Sequence, residues 1–400
     1  MYKKIDSFKE NLESLKKISE IDAKKRLQEI RIKLYNSMKV RLEKEKLKRT
    51  HLKEYSLFLS SFQDSDIEIP GQYTGFKKPL PRYHAKIMKI DRDVKIMYSK
   101  FHPIRINFLG NDAKNYNFLL KFGEDLRLDQ RLQQVFDLSN KTLEQDIPCK
   151  ERYLSINTYS VIPLSISFGL IQWIHNTKSL KQFIEFSLPN KRVIDETCLE
   201  YKKWITKFGN SHDCFKKALK KYSSNDVILK MNEYISCVST DCLKQTFITI
   251  SPSLESFISL RRNFISTYAT MCMIHWITGV GDRHLENILI EISNGRCLGI
   301  DFGLSFGAGI DQVVPELVPF RLTPQILGLL KPFTEYDSLG MIMTMVLKAL
   351  KNEQGPLIAC LDVFIHEPLN WVKDVNKQLM ENKDEDDKFP GKIFFKILQK

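Results

Sequence analysis

The sequence has no uninterrupted apolar run approaching the ~20 residues needed to cross a bilayer. Its opening, Met-Tyr-Lys-Lys-Ile-Asp-Ser-Phe-Lys-Glu, carries charges where a signal peptide needs an apolar stretch. Together these absences predict an intracellular chain. The eight cysteines (Cys149, Cys198, Cys214, Cys237, Cys242, Cys272, Cys297 and Cys360) include no Cys-x-x-Cys pair and have no His-rich neighbour. Neither a disulfide framework nor a zinc site is signalled, and reduced thiols are expected. Zinc-finger and RNA-recognition signatures are missing too, as is any basic patch interleaved with aromatics. A net charge of +13 therefore has no nucleic-acid motif beneath it. Its sharpest local expression, Arg41-Leu-Glu-Lys-Glu-Lys-Leu-Lys-Arg49, is interrupted by Glu43 and Glu45 and reads as the solvated face of a helix, so direct DNA binding by this chain is not expected.

With 400 residues, 43% of them hydrophobic and 27% charged, the chain has the composition of a protein able to bury a core. Apolar residues first recur at helical spacing: Phe8, Leu12, Leu15, Ile18, then Leu27, Ile30, Leu34 and Met38. Residues 83–122 change period. Tyr83–Ile90, Val94–Tyr98, Ile104–Leu109 and Tyr116–Phe122, separated by turn signals at Asp91–Asp93 and Gly110–Asp112, predict successive antiparallel strands. A helix is expected over Glu124–Leu138, strands over Thr158–Pro163 and Phe168–Ile174, and a linker near Trp173–Thr177. Helices follow, chiefly at Leu254–Thr278, Pro324–Leu330 and Asp337–Lys351. The final stretch, with Asp384-Glu-Asp-Asp387 among lysines, reads as a solvated tail.

The chemistry concentrates in residues 279–303: Gly-Val-Gly-Asp-Arg-His-Leu-Glu-Asn-Ile-Leu-Ile, a hairpin, then Gly-Ile-Asp-Phe-Gly. Asp282 and Asn287 stand five positions apart, the separation at which a phosphoryl-transfer loop sets a substrate-orienting Asp and a metal-binding Asn. Asp301 supplies a second hard oxygen. Mg²⁺ takes oxygen ligands at about 2.0–2.1 Å and keeps several waters, so one amide oxygen, one carboxylate and nucleotide phosphates suffice. Between the two ligands, Ile288–Ile292 and Cys297–Ile300 alternate around Asn294-Gly295, predicting a hairpin that carries both on rigid backbone.

The order Asp282-Arg283-His284 resembles the phosphatidylinositol 3-kinase-related protein kinases, members of the lipid-kinase-like superfamily. Ile69-Pro-Gly-Gln-Tyr73, Lys78-Pro-Leu-Pro-Arg-Tyr-His84, Lys121–Arg131, Thr158–Pro163 and Pro315–Thr323 extend the resemblance in order over roughly residues 50 to 375. It implies a two-lobed α+β PI3K/PI4K-like kinase fold, with a small antiparallel β-rich N-lobe and a larger, mainly helical C-lobe. The implied divisions are a helical lead-in at 1–66 (the end of a FAT/FRB-like region), N-lobe at 67–175, C-lobe at 176–380 and a charged tail at 381–400 without a recognisable FATC element.

The same resemblance assigns roles. Lys121 would contact the nucleotide phosphates, with Glu124 and Asp129 helping to hold the site. The family's phosphate-facing turn is glycine-poor, which accommodates the lack of any Gly-x-Gly-x-x-Gly; Ser99, on its own an ordinary turn residue, would offer its hydroxyl and N–H there. Leu119, Tyr159, Ile171, Trp173, Ile174, Leu289 and Ile300 would form the adenine slot, with Thr177 near the ribose; each alone is better read as core. Asp282 would orient the substrate hydroxyl, His284 would stabilise the γ-phosphate or the departing charge, and Asn287 and Asp301 would hold Mg²⁺ or Mn²⁺. Arg283 is expected to tie the loop to neighbouring carbonyls or carboxylates.

The implied cofactors are ATP and a divalent cation, and the implied activity is Ser/Thr phosphorylation. Leu304–Glu316 contains no lysine or arginine, which favours a protein hydroxyl over an inositol phosphate head group. By resemblance to the family's DNA-repair members, the substrates would carry Ser/Thr-Gln sites, the setting would be nuclear end joining of broken DNA, and the intact enzyme would meet a Ku-type DNA-end-binding partner, with no membrane involved. Two other readings stand beside this: a phosphoinositide lipid kinase, and an incomplete, catalytically weak chain retained as a scaffold.

Overall fold

Alternating side chains build the first part of the architecture. In the computed structural model, β4 (Ile104–Gly110) buries Ile106, Phe108 and Gly110 on one face. It pairs antiparallel with β5 (Asn115–Phe122) in a register that sets Ile106 opposite Phe118 and Phe108 opposite Tyr116. Phe108 and Phe118 rings lie 5.6 Å apart. On its other edge β4 receives both β2 (Ile87–Ile90) and β3 (Asp93–Ile96), and β3 also pairs with β1 (Arg49–His51). The structure describes residues 49–54, 56–63, 66–73, 78–97, 102–190, 192–207, 224–311 and 318–366. The expected helical lead-in, the Arg41–Lys48 charge run, Ser99, most of the Lys-free segment after Ile310 and the charged tail lie outside the described residues.

Contacts divide the chain into two units, Met1–Ile69 with Leu80–Lys121, and Pro70–Pro79 with Phe122–Lys400. The four expected strands of the first unit are present. The first is shorter than its pattern, because Pro81–Tyr83 forms a 3₁₀ turn in which Pro81 sits at a helix-start position and cannot donate to a ladder.

The second unit opens with α1 (Arg127–Gln145), which buries Leu132, Val135, Phe136 and Leu143 at helical spacing. It starts three residues later than expected, since the Asp125 carboxylate takes both the Arg127 N–H, at 3.1 Å, and its guanidinium. This helix packs against helices from beyond residue 340 and shares their core. After the short α2 (Ile147–Glu151), β6 (Val161–Pro163) and β7 (Phe168–Gln172) form an antiparallel pair. The turn at 173–176 then leads into β8 (Thr177–Ser179) and α3 (Leu180–Phe186), whose start is a full capping box between Ser179 and Gln182.

Helices α4 (Val193–Thr206), α5 (Ser224–Ser236) and α6 (Cys242–Ile250) precede α7 (Leu254–Ile277). The Ser253 hydroxyl caps α7 at the Ser256 N–H, 3.2 Å away. From Phe264 to Ile277 its buried residues point in several directions, as suits a helix enclosed by the core. The hairpin of β9 (Ile288–Glu291) and β10 (Cys297–Gly299) is the one expected, and β8 adds to its open edge with Ser179 opposite Leu289. The unit continues through α8 (Pro324–Leu330), α9 (Met341–Asn352) and α10 (Gln354–His366). No helix among the described residues is long and apolar enough to cross a membrane.

Candidate active site

The buried helix α7 ends at Ile277 and delivers the chain into the loop Thr278–Asn287. Gly279 adopts a φ of +59°, and a Cβ there would stand 2.6 Å from the Gly307 nitrogen, so only glycine fits. That close approach belongs to a small ladder. Phe306 N–H donates to Thr278 O at 3.0 Å, Gly307 N–H to Gly279 O at 2.9 Å, and Gly281 N–H to Leu304 O at 2.7 Å. The segment after Asp301-Phe-Gly is thereby stitched to the start of the loop.

Asp282 and Asp301 both have positive φ, +55° and +62°. Aspartate tolerates this left-handed backbone better than most residues, and strained backbone of this kind clusters at functional sites. The Asn287 Nδ2 donates to the Asp282 carbonyl at 2.9 Å, which fixes the amide and leaves its oxygen as the acceptor. The Ile300 N–H donates to the Asn287 carbonyl at 3.0 Å, joining the two ends of the β9–β10 hairpin. Asn287 is buried whereas Asp301 is exposed, so an amide oxygen and a carboxylate flank one hairpin mouth. This hard-oxygen pair suits a magnesium-bound nucleotide and would suit a soft metal poorly. His284 Nε2 lies 4.0 Å from Asp282 Oδ2, with both side chains about half exposed.

Arg283 faces inward. Its guanidinium donates to Gly281 O at 2.7 Å, to Ile300 O at 3.0 Å and to Asp301 O, and it lies 5.4 Å over the Phe302 ring. The expectation that it ties the loop to neighbouring carbonyls is met. Phe302 is fully buried and held on several sides: edge-on to Phe136 at 5.4 Å and to His275 at 5.6 Å, stacked on Tyr159 at 6.4 Å, with its N–H directed at Asp129 Oδ1, 3.4 Å away. Burial, then the Asp129 carboxylate, holds the Tyr159 hydroxyl well above its ordinary range, so it stays protonated. Burial and the Arg283 charge push His275 well below its usual value, leaving a neutral imidazole.

Asp282, His284, Asn287, Ile300 and Asp301 are thus brought together, with Asp129 and Tyr159 joined to them through Phe302. Ile171, Ile174 and Leu289 are half-buried and pack against the same core, and Trp173 sits in the turn after β7. Thr177 Oγ1 donates to the Ile174 carbonyl at 3.1 Å, and Glu124 is half-buried just before α1. Leu119 and Lys121 belong to β5. Sequence reasoning missed His275, Phe136 and Arg321, whose Nε donates to the Arg283 carbonyl at 2.7 Å. It missed Lys181 too, whose N–H donates to Leu285 O and whose ammonium reaches Glu286 at 3.2 Å. Nothing in local pattern marks these, since each acts through residues distant in sequence.

Comparison with known proteins decides the family. The model for phosphatidylinositol 3- and 4-kinase matches residues 115–374, more than half of the chain. The chain belongs to the phosphatidylinositol 3- and 4-kinase family. Within it, the chain is 39% identical over 351 residues to the DNA-dependent protein kinase catalytic subunit of Xenopus laevis, covering 84% of this chain and 8% of that protein. The Dictyostelium discoideum protein of the same name is 35% identical over 389 residues, covering 91% of this chain and 9% of the relative. The serine/threonine-protein kinase TOR of Arabidopsis thaliana is 30% identical over 84% of this chain, or 13% of its own length. A solved structure of the FAT and kinase domain of CtTel1 superposes with a TM-score of 0.65 at 22% identity, covering 88% of this chain and 26% of that one, which supports the shared fold. The chain is a kinase domain of the phosphatidylinositol 3-kinase-related type, spanning less than a tenth of the length of these DNA-dependent protein kinase relatives.

Proposed function

We propose that this chain is an ATP-dependent serine/threonine protein kinase domain, acting on Ser/Thr-Gln sites in the repair of DNA double-strand breaks by non-homologous end joining. The observation that carries the reading is the hairpin mouth: Asn287, its amide fixed by the Asp282 carbonyl at 2.9 Å, is joined through the Ile300 N–H to the strand end that presents Asp301. Asn287 and Asp301 would hold the divalent cation, Mg²⁺ or Mn²⁺. Bound with ATP, that cation neutralises charge on the phosphate oxygens.

The chain's own residues do the rest. Asp282, on the same loop, orients the substrate hydroxyl and accepts its proton, and His284 stabilises charge on the transferred group. By the family resemblance Lys121 would contact the phosphates, helped by Glu124 and Asp129, and Ser99 would add a donor. Leu119, Tyr159, Ile171, Trp173, Ile174, Leu289 and Ile300 present apolar surface to the adenine, with Thr177 toward the ribose. Similarity to the DNA-dependent protein kinase catalytic subunit supports protein over lipid as substrate and a nuclear setting, and it implies a Ku-type DNA-end-binding partner for an intact enzyme. The lysine- and arginine-free stretch 304–316 agrees with that substrate class.

The test is phosphate transfer from Mg·ATP to a Ser-Gln peptide, against the same peptide with Gln replaced and against phosphatidylinositol. The Ser-Gln peptide should be preferred and the lipid unmodified. Asp301→Asn should abolish transfer while thermal unfolding without nucleotide barely changes, because asparagine keeps the size of the exposed side chain and tolerates the left-handed backbone at this position. Label entering phosphatidylinositol but not peptide would replace the protein-kinase reading with a lipid-kinase one. Nucleotide binding without any turnover would leave a scaffold.

A further inference from the structure

Lys181 meets the loop Thr278–Asn287 at two points. It lies in the first turn of α3, which β8 brings beside the site: Ser179 stands opposite Leu289, two residues beyond Asn287. At the second helical position its backbone N–H has no partner within the helix, and it donates instead to the Leu285 carbonyl at 3.2 Å. Its ammonium donates to Asp195 at 2.6 Å and to Glu286 at 3.2 Å, with Glu185 3.9 Å away. The Asp195 hydrogen bond, opposed by burial and reinforced by Glu286, holds the ammonium above the ordinary lysine value, so its charge is present throughout the neutral range. Asp195 and Glu286 are 65% and 61% exposed. Ion pairs this open to water add little stability; what they fix is position.

Both points fall on Leu285 and Glu286. A trans peptide sets its C=O and N–H on opposite sides of one plane. Here the Leu285 C=O accepts from Lys181, and the Glu286 N–H of the same plane donates to His284 Nδ1, 3.2 Å away. A ring nitrogen that accepts a hydrogen bond carries no proton, so the proton of the neutral imidazole sits on Nε2. Turning the plane over would aim the Leu285 carbonyl at the ring and call for a proton on Nδ1 instead. The Asn287 N–H, on the His284 carbonyl at 3.0 Å, holds the other side of the turn. Nε2 stands 4.0 Å from Asp282 Oδ2.

We propose that Lys181 is a positioning residue: it locks the Leu285–Glu286 peptide, and so selects the tautomer in which His284 presents Nε2–H as a donor. The ring neither gains nor loses a proton in this. Local pattern could not show the link, since Lys181 and Glu286 are 105 positions apart. Its consequence for phosphotransfer rests on the kinase activity proposed above. A neutral ring with its proton on Nε2 can donate there and cannot accept. Asp282 is therefore left to take the substrate proton, while His284 donates to oxygens of the transferred group.

The test uses the full chain labelled with ¹⁵N-histidine at about pH 8.5, above the ordinary imidazole value of about 6.5. Long-range ¹H–¹⁵N spectra separate protonated from bare ring nitrogens, and the His284 signals are those lost in His284→Gln among the eight histidines. In the parent chain Nε2 should carry the proton and Nδ1 be bare. Lys181→Met leaves Glu185, Asp195 and Glu286 repelling one another, and Glu286→Ala removes the tether at an exposed position. Each should shift the ratio of the two tautomers roughly twofold to tenfold toward Nδ1–H. Asp195→Asn, which keeps the Lys181–Glu286 contact, should leave it unchanged. Thermal unfolding checks that each variant is folded, and if Lys181→Met is not, Glu286→Ala decides. Nδ1–H in the parent chain, a ratio unmoved in the folded variants, or an equal shift in Asp195→Asn would overturn the proposal. Lys181→Met should also lower kcat on a Ser-Gln peptide with little change in KM; a moved tautomer with kcat unchanged would overturn the division of roles between Asp282 and His284. A parent chain that transfers no phosphate with His284 set as stated would overturn the kinase reading and leave the Lys181 assignment standing.

Discussion

Arg283→Met should unfold the second unit at a markedly lower temperature although it alters no residue proposed to touch substrate. The Arg283 side chain is 7% exposed and its guanidinium serves the backbone carbonyls of Gly281, Ile300 and Asp301. Hydrogen bonds to a charged group contribute about 1.5–3 kcal/mol each, but three on one group do not add, because they share a single desolvated cation. Methionine fills much of the volume and removes the buried charge, which offsets part of the loss; the carbonyls left without a donor and the lost contact over Phe302, worth about 0.5–2 kcal/mol, do not recover. A net cost of about 3 kcal/mol follows. For a unit of this size that corresponds to a fall in Tm of about 6–12 °C. Arg283→Lys should fall between, since a point ammonium cannot reach three carbonyls in one plane. The assay is thermal unfolding without nucleotide, with denaturant midpoints as a second measure. A Tm within about 1 °C of the parent for Arg283→Met would refute the claim that this guanidinium holds the loop and the Asp301 backbone together.

Gly299→Ala should cost about 1–3 kcal/mol, because its Cβ would stand 2.6 Å from His275 Cε1 in a filled core; an unchanged denaturation midpoint would show that the imidazole yields freely. In the native protein at pH 8, iodoacetamide should label the exposed Cys198 and Cys237 and spare the buried Cys149, Cys272 and Cys297, a pattern read by peptide mapping. Burial pushes the Cys149 and Cys297 thiols up to about 12 from an ordinary 9.0. Their raised folded-state values make a contribution to stability that is complete below pH 9 and lost as pH climbs through 12. Replacing both with Ala should therefore flatten the alkaline side of the stability curve, whatever it does to stability at neutral pH.

How much of this was legible before folding follows from the range over which each determinant acts. The strands of the first unit and the β9–β10 hairpin were visible because alternation and turn residues are local signals, and they ended within a few residues of their patterns except where Pro81 intervened. The loop carrying Asp282, His284 and Asn287, and the following Asp301, could be picked out as the candidate site for a chemical reason: the proposed phosphoryl transfer calls for such oxygen and nitrogen donors at set spacings along one short stretch. Arg283 could be given a structural role from its place beside Asp282, but not its three particular acceptors. The stack of Phe136, His275, Tyr159 and Phe302 was not legible at all. Its members come from α1, α7 and two loops, and no periodicity within any one of them points to the others.

Sequence alone determined which residues make up the candidate site and the types of element that carry them, since both depend on residues near one another along the chain. Tertiary structure alone decided which side chains brace that loop: the imidazole of His275 kept neutral by burial, the Asp129 carboxylate aimed at the Phe302 N–H, Arg321 on the Arg283 carbonyl, and the ladder between residues 278–281 and 304–307. It also decided that α1 and β6–β7 share a unit with the later helices. Such relations arise when close packing brings distant segments together, and the energy that selects them belongs to the packed core as a whole.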